Sequence, residues 1–164
     1  MTIKKRAYVS PLKSNKTRFC RAESLLLDCF RLWSQSPENY TYLLGLMARE
    51  FGSPHADRAS MGVKLLAHVL GLYARRTFYL MHPRCEGATA DERGLLALIG
   101  AVIHDRRPHA NAIASWLLPT QCHGTVLAVA GEIGRAFKAG GLEIARPRNS
   151  VTPDTRETVL CAVA

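Results

Sequence analysis

His82 and Cys85, separated by two residues, have the spacing in this chain that is best suited to chemistry. Both side chains bind zinc well, and two intervening residues is a common spacing between zinc ligands. A complete site would need further ligands, for which the candidates are His104, His109, Cys122 and His123. A simpler interpretation also accounts for the pair. His82 ends a helix because it precedes Pro83, and Cys85 fills space under a loop. We therefore expect no cofactor, with zinc at His82 and Cys85 as the alternative.

The chain contains no assembled catalytic motif that we can identify. Cys122 and His123 are neighbours in a predicted helix, so their side chains diverge by roughly 100° and cannot form a dyad with each other. The signatures of nucleophile elbows, zinc proteases, P-loops and dinucleotide-binding loops do not occur. Asp91 and Glu92 are explained by their position at a helix N-terminus, where negative charge is favourable. We predict that the protein is not an enzyme.

A capping box marks the clearest helix start. Thr89 and Glu92 have its spacing, in which the hydroxyl accepts from the amide at the third helical position and the carboxylate accepts from the cap amide. Apolar residues recur at helical spacing directly afterwards. The loop that contains His82 and Cys85 therefore joins two helices.

The remaining hydrophobic periodicity is helical throughout, and no segment of useful length alternates polar and apolar residues. A hydroxyl residue followed by proline is typical of a helix start, and this pair occurs at Ser36, Ser53 and Thr152. Glycine is typical of a helix end, and it occurs at Gly52 and at Gly140-Gly141. After a first helix that begins near residue 17, the pattern predicts helices at about 37–51, 54–80, 90–104, 109–118 and 120–139, with a short terminal helix at 153–163 as an option. The fold class is all-α, a compact bundle of about six helices with a flexible basic N-terminal arm.

The third predicted helix supplies much of the expected core. Its apolar positions are Met61, Leu65, Leu66, Val69, Leu72, Tyr73 and Phe78. For the aromatic pair Tyr73 and Phe78 we expect core packing, since amphipathic helices need such faces whatever they do. We further expect one buried cluster containing Leu66, Val69, Leu98, Val102, Leu127 and Ile133.

The net charge of +9 is concentrated at the N-terminus. Residues 1–21 carry seven of the 22 basic side chains and none of the 13 acidic ones, so the remainder is almost neutral. The seven are Lys4, Lys5, Arg6, Lys13, Lys16, Arg18 and Arg21. We predict a flexible arm at 1–16, a helical domain at 17–141 and a C-terminal tail at 142–164. The arm suggests salt-sensitive contacts with nucleic-acid phosphates, without base recognition.

The five cysteines are odd in number and scattered, which is typical of free thiols in a reducing compartment. No apolar stretch reaches the roughly 20 residues needed to span a bilayer. Our leading hypothesis is a non-enzymatic cytoplasmic protein of a bacterial type, a regulatory or adaptor module that contacts a protein partner. The alternatives are a nucleic-acid-associated protein that uses residues 4–21, and a small metal- or ligand-binding helical domain. We expect no membrane partner; the sequence indicates neither the partner nor the oligomeric state.

Overall fold

The computed structural model describes residues 3–5, 19–83, 85 and 87–145. Within them lie six helices, α1 (Arg21–Gln35), α2 (Tyr40–Phe51), α3 (Ser53–Tyr73), α4 (Ala90–Ile103), α5 (Arg107–Leu117) and α6 (His123–Ala139). Short 3-10 turns, Pro37–Asn39 and Thr120–Cys122, lead into α2 and α6. The predicted all-α bundle is confirmed.

The helices pack around α3 and α6. Helix α3 lies against α1, α2 and α6, while α4 packs between α5 and α6. Close approach of α3 and α6 depends on Gly62, because a Cβ at that position would lie 2.6 Å from Cγ1 of Ile133. At the end of α2, the ring of Phe51 packs 5.2 Å from that of Phe137 in α6. These contacts produce one continuous hydrophobic core.

Most of the predicted helix boundaries are confirmed. Gly52 ends α2 with a φ of 83°, a left-handed conformation that favours glycine, and Gly140 caps α6. Ser36 accepts a hydrogen bond from the amide of Glu38. Ser53 does not act as a cap; it is the first residue of α3, and no side chain caps that helix.

The third helix is shorter than predicted, and this corrects its expected end at residue 80. It ends at Tyr73 because Ala74 leaves the helical region, with a ψ of 134°. Phe78–Leu80 instead forms a short strand, β2, which pairs in parallel with the strand β1, Ile3–Lys5. Phe78 and Leu80 are buried while Tyr79 between them is half-buried, the period of two expected of a strand.

The predicted core cluster is largely confirmed. Leu66, Val69, Leu98 and Ile133 are buried, and the half-buried Val102 and Leu127 pack against the same core. Of the aromatic pair expected in the core, Phe78 is buried, but the expectation for Tyr73 was wrong, since Tyr73 is exposed. Three further apolar residues of α3, Met61, Leu65 and Leu72, are also exposed.

Several predictions concern residues outside the described ones. These include the flexibility of the arm at 1–2 and 6–16, the start of the first helix at 17–18, the Thr152 cap and the terminal helix at 153–163. Of the predicted tail, residues 142–145 are described as non-helical, and Ile144 is buried against the core. No helix in the described parts of the chain has the length and apolar character to cross a bilayer.

Candidate functional site

A buried ion pair joins α1 to the start of α4. Nε of Arg31 donates to Oε1 of Glu92 at 2.6 Å, and Nη2 donates to Oε2 at 3.1 Å. Both side chains are nearly inaccessible, at 3% and 0% exposure. Two parallel hydrogen bonds between a guanidinium and a carboxylate give strong geometric specificity. The pair therefore fixes α1 relative to the N-terminus of α4.

The same two residues organise the connection between β2 and α4. Arg31 also donates to the carbonyls of Cys85 at 3.1 Å and Gly87 at 2.8 Å. Glu92 also accepts from the backbone amides of Met81 at 3.0 Å and Thr89 at 2.7 Å. Both carboxylate oxygens of Glu92 are therefore engaged by donors, and the side chain serves a structural role.

Thr89 forms the predicted capping box and an additional bond. Its Oγ1 accepts from the amide of Glu92 at 3.0 Å and donates to the carbonyl of Tyr79 at 2.7 Å. The capping residue therefore also ties β2 to α4. This second role depends on the strand, which the sequence pattern did not predict.

A second buried carboxylate lies beside the first. Asp91 binds the guanidinium of Arg76 and accepts from the amide of Tyr79 at 2.8 Å. The guanidinium also stacks over Trp116, 4.3 Å from the ring centroid. The hydrogen bond with Asp91 raises the pKa of Arg76 above its usual value. From the sequence, Asp91 and Glu92 were predicted only to mark a helix N-terminus. The structure adds their arginine partners, Arg76 and Arg31, which come from other segments of the chain.

His82 and Cys85 lie in one turn, where the amide of Cys85 donates to the carbonyl of His82 at 3.1 Å. His82 is exposed, and its Nδ1 lies 2.5 Å from the carbonyl oxygen of Pro83. Cys85 is half-buried. Among the described residues, no group of three or more His, Cys, Asp or Glu side chains could hold a metal ion.

The other candidate ligands make local contacts of their own. A ring nitrogen of His104 lies 3.2 Å from the carbonyl oxygen of Ile144, and one of His123 lies 3.1 Å from that of Leu118. Neither of these contacts involves the His82 turn. Burial raises the pKa of the Cys29 thiol well above its usual value, which disfavours the reactive thiolate.

The predicted basic site is only partly described. Lys4 and Lys5 belong to β1, while Arg6, Lys13, Lys16 and Arg18 lie outside the described residues. Arg21 begins α1, where its guanidinium pairs with Glu50 at 2.5 Å. Arg21 therefore lies in the helical domain, where its side chain is 74% exposed beside Glu50.

Helix α3 has an exposed apolar face that the sequence pattern did not predict. Met61, Leu65 and Leu72 are 54%, 42% and 55% exposed, and His68 is exposed between them. We call these four residues the α3 stripe. Their steps of four, three and four residues form a straight row along a helix, the spacing of a coiled-coil seam. Sequence periodicity could not separate them from Leu66 and Val69, since α3 is apolar on two faces.

Charged residues border the α3 stripe. Arg58 and Asp57 lie three and four residues before it, Lys64 lies beside it, and all three are exposed. Nζ of Lys64 lies 5.5 Å from the ring centroid of Tyr40 and 6.0 Å from that of Trp33. Arg75 follows the end of α3, where its Nε donates to the carbonyl of Leu118 at 3.0 Å. The border therefore carries charges of both signs.

Comparisons with protein-family models, with curated proteins and with solved structures find no match to this chain.

Proposed function

We propose that this protein is a non-enzymatic helical adaptor of the cytoplasm that docks a protein partner on the α3 stripe. The observation that carries the proposal is the row of Met61, Leu65 and Leu72, each at least 42% exposed on one helix. Contiguous exposed apolar surface on a globular domain is a common mark of an interaction site. A row at coiled-coil spacing is suited to the apolar face of another helix.

The polar clusters of the described residues favour a scaffold role. The carboxylates of Glu92 and Asp91 are each held by an arginine and by backbone amides. Their contacts orient α1, β2 and α4. The exposed apolar row lies on a different helix and makes no comparable contribution to the core.

Position-specific photo-crosslinking tests the proposal in cells of the organism that makes the chain. A photoreactive amino acid replaces Leu65 in the stripe or, as a matched control, the exposed Thr41 of α2. We expect a discrete protein adduct from position 65 that is absent from position 41. The adduct should be lost when Leu72→Ser is added, with an unchanged melting temperature. Equal adducts from both positions, or none from position 65 in folded protein, would contradict the proposal.

Nucleic-acid binding is the second candidate, and charge segregation favours it. Residues 1–21 hold seven basic side chains and no acidic one. A mixed-sequence duplex should then bind the full chain with steep salt dependence, and deletion of residues 1–18 should abolish binding. Because Arg21 is paired with Glu50, Arg21→Ala should matter less than Arg18→Ala. Binding that ignores both salt and the deletion would eliminate this mechanism.

A further inference from the structure

We draw no further inference here: the strongest candidate, the exposed apolar face of α3 formed by Met61, Leu65 and Leu72, belongs to the docking surface already proposed, and nothing in the structure shows what covers it.

Discussion

Arg31 and Glu92, which are 61 residues apart in the sequence, form a bidentate ion pair that is almost wholly excluded from solvent. The pair connects the third turn of α1 to the first turn of α4. The other hydrogen bonds of these two side chains hold the segment between β2 and α4. A buried pair of this kind contributes little net stability relative to apolar packing, yet loss of one partner is costly. It therefore specifies how the helices are arranged around the core.

Arg31→Ala should lower the free energy of unfolding by about 3 to 5 kcal/mol, because the Glu92 carboxylate would stay buried without its cation. Urea denaturation measures the loss. The joint change Arg31→Met with Glu92→Leu should recover only part of it: no unpaired charge remains, but the backbone groups that the pair binds lose their partners. Arg135→Ala is the matched control; loss of its solvent-exposed pair with Glu132 should change stability little. Equal losses in the two single variants would show that the Arg31 pair is not buried.

Thr89→Ala should lower the free energy of unfolding by about 1 to 2 kcal/mol, through loss of the capping bond to Glu92. Thr89→Ser retains the hydroxyl and should stay within about 0.5 kcal/mol of the wild type. Thermal or urea denaturation of the three proteins gives the comparison. A serine variant as unstable as the alanine variant would show that the methyl group, not the hydroxyl, is what matters.

Leu98→Asp should unfold the domain, because Leu98 is fully buried in α4 and an unpaired carboxylate there costs several kcal/mol. The same change at Leu65, an exposed residue of α3, should cost about 1 kcal/mol or less. Circular dichroism melting curves distinguish the two. If Leu65→Asp also unfolds the domain, the α3 stripe belongs to a core rather than to a surface.

Asp28→Asn tests the electrostatics around Arg31. Burial raises the pKa of Asp28, Arg31 lowers it and Glu92 raises it, with a net upward shift from 3.8. An acid with a raised folded-state pKa favours folding only while protonated, so its contribution is lost as the pH rises through that pKa. The Asn variant should therefore be slightly more stable at neutral pH, by under about 1 kcal/mol since the side chain is half exposed.

The advantage of the Asn variant should disappear below the ordinary pKa of 3.8, where the aspartate is protonated in both states. Urea denaturation of both proteins across this pH range measures it. A variant that is less stable at neutral pH would mean that attraction to Arg31 outweighs the burial of Asp28.

Local signals in the sequence predicted the helices well. The spacing of Thr89 and Glu92 identified the start of α4, and Gly52 identified the end of α2, because caps and left-handed glycines are determined by nearby residues. The predicted end of α3 was wrong, because hydrogen bonds with Asp91 and Thr89 at the start of α4 hold residues 78–80 as the strand β2. No window around Phe78 contains that information.

The candidate site could not be predicted for a related reason. Arg31 is interleaved with apolar residues on α1 and resembles a solvated charge until α4 supplies Glu92. Leu65 and Leu66 are both leucines on one helix, and only the positions of α2 and α6 decide which is buried. Periodicity shows that a helix has apolar faces, and the packing of the other helices determines which face stays exposed.

Hydroxyl-radical footprinting of the methionines directly measures whether the α3 stripe is an open surface. Met61 lies in the stripe and is 54% exposed, whereas Met47 in α2 is fully buried and serves as the internal control. Methionine sulfoxide formation follows exposure. In the purified full chain, we predict rapid oxidation of Met61 and slow oxidation of Met47. A Met61 that is oxidised as slowly as Met47 would contradict an open surface on α3.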